Sequence, residues 1–178
     1  MRPARRLRES DSGLAAVEFA LVAPVLVVML LGTVDVCKVL ACREKLVSLA
    51  STASDIIAMT SSVTSTDISN AYSVGNAVMY PYANGNTGIV ISSIKYSAAT
   101  GLDTVDWSRA QNGTALTQGS AVTVPAGVIA ATDGASAILV TVNYTYTPPF
   151  VGFMGAIPMS STSYSRPRES LSVTCNGC

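Results

Sequence analysis

The longest apolar stretch of the chain runs from Leu14 to Leu31 and is interrupted only by Glu18 and Pro24. At about 1.5 Å per helical residue, such a segment crosses a bilayer core of roughly 30 Å. The pattern therefore predicts a transmembrane helix over residues 14–34. An acidic side chain in such a helix costs about 2.5 to 3.5 kcal/mol at the bilayer centre and less near its edge. Glu18 is therefore a candidate functional residue that needs a partner.

Beyond Gly32 the apolar residues recur every three or four positions, with charged residues between them. This period predicts an amphipathic continuation over residues 35–60, so that one helix of about 40 to 45 residues has a lipid-facing half and a domain-facing half. Pro24 is expected to kink it, because proline lacks the backbone N–H and clashes with the preceding turn. The apolar positions are Val36, Val39, Leu40, Leu46, Val47, Ala50, Ala53 and Ile57, between Asp35, Lys38, Arg43, Glu44 and Asp55.

A Ser/Thr-rich joint follows at residues 61–66, after which Asp67 is expected to cap a short second helix that ends at Pro81. After the turn signal Asn84-Gly85-Asn86, the apolar period changes to two or to short β-branched runs. The predicted strands are residues 89–96, 104–109, 121–124, 137–147, 160–164 and 170–175.

The clearest strand places Val140, Val142, Tyr144 and Tyr146 on one face and Thr or Asn on the other. This alternation predicts an antiparallel sheet with one covered face, and the amphipathic helix is the expected cover. The sequence therefore predicts an α+β fold, in which a long N-terminal transmembrane and amphipathic helix packs on a small antiparallel sheet. Residues 61–178 would form a single exported domain.

Charge is distributed unevenly, although the formal net charge of the 178 residues is zero. The first 13 residues contain Arg2, Arg5, Arg6 and Arg8 against Glu9 and Asp11. By the positive-inside rule this end stays in the cytoplasm and the C-terminal bulk is exported. A secretory signal peptide shows a similar pattern, but this apolar run is longer and no clear Ala-x-Ala site follows it. Only 12% of residues are charged, which does not favour nucleic-acid binding.

The sequence contains few of the residues and motifs that form catalytic sites. The chain has no histidine, which excludes a Ser-His-Asp triad and histidine metal sites, and no G-x-S-x-G, G-x-G-x-x-G or Walker-type loop occurs. Asp103 and Asp106 are more consistent with solvated edge charges than with a calcium site, and Trp107 is expected in the core. We therefore predict no enzyme activity, catalytic residue, metal or cofactor. An exported hydrolase or thiol oxidoreductase is the most distant alternative.

The four cysteines, Cys37, Cys42, Cys175 and Cys178, are candidate disulfide residues, since an exported domain favours disulfides over metal ligation. Two arrangements remain open. Cys175 and Cys178 can form a tight local bridge, or the tail can be linked to Cys37 or Cys42.

The junction from Gly13 to Pro24, Gly-Leu-Ala-Ala-Val-Glu-Phe-Ala-Leu-Val-Ala-Pro, resembles the TadE-like minor pseudopilins of the tight adherence (Tad, Flp-type) pilus, within the type IV pilin superfamily. The resemblance implies that prepilin peptidase cuts after Gly13, so residues 1–13 would be a leader and Leu14 the mature N-terminus. It also implies that Glu18, followed by Phe19, pairs with the new α-amino group on its own or a neighbouring subunit. Leu14 replaces the small residue often found after the cut.

The implied function is that of a minor pilin subunit, which is assembled into a Tad-type pilus or primes one for surface adherence. The expected partners are prepilin peptidase, the major Flp-type pilin, other minor pseudopilins, the inner-membrane pilus platform and membrane lipid, without nucleic acid. The expected location is the bacterial inner membrane, with a periplasmic or extracellular C-terminal domain, and the assembled pilus at the cell surface. The alternative is an uncleaved, single-pass anchored binding module with an exported β domain.

Overall fold

The computed structural model describes residues 11–82, 85–150 and 155–177. These residues fall into two compact units. The first contains the chain as far as Val39 together with Pro148–Gly155, and the second contains Leu40–Thr147 and the chain from Ala156 onward. The elements in chain order are α1 (Asp11–Ala58), β1 (Ser62–Thr64), α2 (Ser65–Met79), β2 (Gly88–Ser97), β3 (Leu102–Gln111), β4 (Ser136–Tyr146), β5 (Ile157–Ser165) and β6 (Thr174–Asn176).

Helix α1 is 48 residues long, close to the length that the sequence predicts. Pro24 lies inside it, and the helix continues on both sides of this residue without a break. From Leu14 to Leu30 the large apolar side chains are more than half exposed. This segment is apolar around its whole circumference, as expected of a helix that faces lipid.

From Cys42 to Ala58, α1 buries a stripe of residues on one side of the helix. Its buried residues recur at helical spacing and are Cys42, Leu46, Leu49, Ala50, Ala53, Ser54, Ile57 and Ala58. The predicted core positions Leu46, Ala50, Ala53 and Ile57 are therefore confirmed. Leu40 and Val47 are wrong as core positions, because they lie to the side of this stripe and are more than half exposed. Val36, in the first unit, is also exposed.

The N-terminus of α2 is closed by a capping box. Thr64 is the N-cap: its hydroxyl accepts a hydrogen bond from the Asp67 N–H at 3.3 Å, and the Asp67 carboxylate accepts one from the Thr64 N–H at 2.9 Å. The prediction that Asp67 itself is the cap is therefore wrong by three residues, since Asp67 occupies the third helical position. The helix ends at Met79, just before a cis Tyr80–Pro81 bond.

The main sheet has the strand order β3-β2-β4-β5, and every neighbouring pair is antiparallel. This confirms the predicted α+β fold with a small antiparallel sheet. The predicted strand at 121–124 is wrong: only one isolated bridge, Thr104 to Ala121, forms there. The predicted strand at 170–175 is reduced to β6, which pairs in parallel with β1 in a separate two-stranded sheet.

One face of the main sheet packs against the helices. Ser54 of α1 donates to the Ser163 hydroxyl at 3.1 Å, and Ser163 is the β5 partner of Val140 in β4. A Cβ atom at Gly75 of α2 would lie 2.8 Å from Ile89 Cδ1 and 3.6 Å from Leu49. Both helices therefore lie close against this face.

The opposite face is also covered in part, so the prediction of a single covered face is wrong. Ile94, Val105 and Leu139 form a buried cluster on it. Val122, Val124 and Ile129, from the irregular segment between β3 and β4, pack against the cluster. The alternation at Val122 and Val124 predicted a strand, and it did not indicate that this segment covers the second face of the sheet.

Candidate functional site

The candidate cleavage junction lies in the first turns of α1, where Gly13, Leu14, Glu18 and Phe19 are all exposed. A Cβ atom added at Gly13 would meet nothing within 4 Å. Packing within the described chain therefore does not require glycine at this position, although glycine in a helix costs about 0.5 to 1 kcal/mol relative to alanine.

Glu18 lies one helical turn after Leu14, about 6 Å along the axis. Both residues therefore lie on the same side of the helix. The residues one turn away from Glu18 in either direction are uncharged, and the sequence contains no Lys or Arg between Arg8 and Lys38. No cationic side chain of the apolar segment is available to pair with this carboxylate.

Within the described residues, one helix, covering Gly13–Ala58, is long and apolar enough to cross a membrane. None of its most apolar 18-residue window is buried against the rest of the protein. Length, composition and exposure together indicate a membrane anchor at this end of the chain.

At the far end of the apolar segment, the structure adds two features that the sequence did not predict. Asp35, expected among the solvent-facing charges, is fully buried. The Lys38 ammonium lies 4.5 Å from the centroid of the Phe150 ring, a cation–π contact within the first unit. Phe150 lies in the connection between β4 and β5 and carries no sequence motif.

The cysteines divide into two groups. Cys37 and Cys42 are free thiols, Cys37 exposed and Cys42 buried, whereas Cys175 is disulfide-bonded. The link from the tail to Cys37 or Cys42 is therefore not formed in this structure. The other cysteine of the tail, Cys178, lies outside the described residues. Cys37 and Cys42 are five residues apart on α1 and point in different directions, which prevents them from pairing with each other.

The other residues considered as functional candidates, Trp107, Asp103 and Asp106, lie in the main sheet. Trp107 is 8% exposed and donates its indole N–H to the Val173 carbonyl at 2.8 Å, as a core aromatic does. Asp103 and Asp106 of β3 are partly exposed. Among the residues that the structure describes, no group of three or more Cys, Asp or Glu side chains could hold a metal ion.

The comparison with protein families matches residues 13–55 to the family described as TadE-like protein. The match begins at Gly13, contains Glu18, Phe19 and Pro24, and ends within α1, before the sheet. No curated protein and no solved structure matches the chain. Residues 13–55 are therefore similar to TadE-like proteins.

Proposed function

We propose that this protein is a minor pilin subunit, cut after Gly13 by prepilin peptidase and then assembled into, or used to prime, a Tad-type pilus. The observation that carries the proposal is the TadE-like match over residues 13–55, which starts at the glycine of the candidate cleavage site. The division into leader 1–13, transmembrane helix 14–34, amphipathic continuation 35–60 and exported domain 61–178 belongs to the same proposal.

Cleavage after Gly13 would supply the partner that Glu18 lacks. The cut creates an α-amino group on Leu14, which is cationic near neutral pH. This group would lie one turn from Glu18 on its own helix, or next to Glu18 of a neighbouring subunit. Pairing the two charges offsets much of the cost of holding a carboxylate in lipid, so a subunit with both charges is favoured in a bundle of such helices.

The exposure of α1 supports this proposal. The apolar residues from Leu14 to Leu30 are available on all sides, to lipid before assembly and to other helices after it. The partners would be the major Flp-type pilin, other minor pseudopilins and the inner-membrane platform. The exported domain contributes a separate surface, for which we assign no ligand.

Mass spectrometry of the mature N-terminus tests the cleavage step directly. We expect Leu14 as the first residue in cells that contain the peptidase, and the full leader in cells that lack it. Gly13→Val should abolish processing. Gly32→Val is the matched control, because an added Cβ meets nothing within 4 Å at either glycine and both lie in α1.

The control should be processed normally. A mature protein that keeps residues 1–13 in the presence of the peptidase would contradict the proposal. That result would favour the alternative, an uncleaved anchored protein whose exported domain acts as a binding module.

A further inference from the structure

We propose that Phe150, in the connection between β4 and β5, is a second point of lipid contact and lies in the bilayer interface beside the end of the apolar part of α1. The proposal rests on the membrane anchoring contained in the proposed function and adds a lipid-binding surface to it.

The first observation is the position of Phe150. Pro148–Gly155 form one compact unit with the part of α1 that ends at Val39, which includes the whole apolar segment. Within this unit, Lys38 Nζ lies 4.5 Å from the Phe150 ring centroid. Lys38 is the first cationic residue after the apolar run, so it marks the level at which α1 leaves the hydrocarbon. Phe150 is therefore at that level too.

The second observation is exposure. Phe150 is 51% exposed, although Pro148 beside it is buried. An aromatic ring that is only half covered, next to the lipid-facing surface of a membrane helix, is in the environment that membrane-interface aromatic residues prefer. The apolar surface of α1 therefore continues onto Phe150 instead of ending at the helix.

The third observation is charge. The sequence has no charged residue between Asp133 and Arg166, so Phe150 can contact lipid without a charged sequence neighbour. Lys38 supplies the complementary feature: its ammonium lies over the Phe150 ring and is a cationic group that can bind lipid phosphates. Together, Lys38 and Phe150 form a lipid-binding pair with an apolar and a cationic part.

The test uses the full chain in vesicles of phosphatidylethanolamine and phosphatidylglycerol. Phe150→Trp places a reporter at the proposed contact, and Tyr80→Trp is the matched control, since Tyr80 is 76% exposed in the other unit. Trp107 contributes the same buried background to both variants. We expect lipid brominated near the glycerol backbone to quench Phe150→Trp more than the control, and acrylamide to quench it less.

A second measurement needs no substitution. Vesicles that contain a phospholipid with a photoactivatable group near its glycerol backbone should label the peptide with Phe150 in the unaltered chain. Equal acrylamide quenching of both tryptophan variants, together with no labelling, would overturn the lipid contact. Flotation of the chain with the vesicles separates the two proposals. Without flotation both the anchor and the contact fail, and with flotation only the contact fails.

Discussion

Ser54 Oγ of α1 lies 2.9 Å from Ser165 Oγ of β5. The Ser165 hydroxyl also donates to the Asp55 carboxylate at 2.8 Å, and Asp55 lies 3.7 Å from the Arg168 guanidinium. These directional bonds fix the register of α1 against the edge strand.

Ser54→Ala should destabilise the part of the chain that contains the main sheet by about 0.5 to 1.5 kcal/mol, because partly buried hydroxyls on β5 lose a partner. Denaturant unfolding of the full chain in detergent micelles, followed by tryptophan fluorescence, measures the change. Ser51→Ala is the control on the same helix: Ser51 is exposed, and its hydroxyl donates to the Ser48 carbonyl within α1. Equal losses for the two variants would contradict a register-fixing role for Ser54.

Gly88→Ala should destabilise the protein more than Gly75→Ala. At Gly88 an added Cβ would lie 2.9 Å from the Asn112 carbonyl oxygen, which is backbone and cannot move without disturbing β2 and β3. At Gly75 the close atom is the Cδ1 end of Ile89, which can move, and alanine gains about 1 kcal/mol of helix propensity. We expect a loss of about 1 to 3 kcal/mol at Gly88 and a near-neutral effect at Gly75. The same unfolding measurement decides the order, and the reverse order would refute this reasoning.

The capping box makes α2 sensitive to acid. Hydrogen bonds from the Thr64 side chain and backbone lower the pKa of the Asp67 carboxyl below its usual value. A lowered folded-state pKa stabilises the fold at pH values above the unfolded pKa, about 4, and this stabilisation is lost as the pH falls through the folded-state pKa. Unfolding of the native chain and of Asp67→Ala should therefore differ most at neutral pH and converge in acid.

Asn70→Ala serves as the control for this pH series, because Asn70 is exposed on α2 and does not titrate. Its stability difference from the native chain should stay constant across the same pH range. A pH-independent effect of Asp67→Ala would show that its carboxylate charge does not contribute to the cap.

Glu18→Ala should leave membrane insertion intact and impair pilus incorporation. Without the carboxylate, the α-amino group of the cleaved subunit would have no partner. The cost is below the value of about 2.5 to 3.5 kcal/mol for a charge at the bilayer centre, because Leu14 begins the apolar segment. A cost of about 1.4 kcal/mol would reduce incorporation about tenfold. Immunoblots of sheared pili and of membranes separate incorporation from insertion.

The matched control for this experiment is Glu44→Ala, which removes an exposed carboxylate from the same helix, beyond the apolar segment. It should be incorporated normally. Full piliation with Glu18→Ala would rule out the pairing role of Glu18.

Most of the helices and strands could be predicted where apolar residues recur at a regular spacing. The long helix, its buried stripe through Leu46 and Ala53, and the strands β2, β3 and β4 all follow from apolar spacing. The N-cap was misplaced from Thr64 to Asp67, since both residues can cap and only the backbone geometry distinguishes them.

Contacts between residues distant in sequence could not be predicted, for a different reason. The pairing of β1 with β6 involves two three-residue strands too short to show any alternation. The approach of Phe150 to Lys38 joins residues that are distant in sequence. The candidate cleavage site could be predicted from the sequence, but packing in the fold does not require glycine at position 13. The proposed role of Gly13 depends instead on a peptidase and on other subunits.

The pairing of β1 with β6 has a consequence for the order of folding. Thr174 donates its backbone N–H to the Ser61 carbonyl at 3.1 Å, and Val173 accepts the Trp107 bond. The first bond joins β6 to the segment that directly follows α1, and the second joins Val173 to β3. Contacts of such high sequence separation form slowly. The domain therefore cannot complete its fold until synthesis has passed Asn176, and until then the indole of Trp107 has no carbonyl to which it can donate.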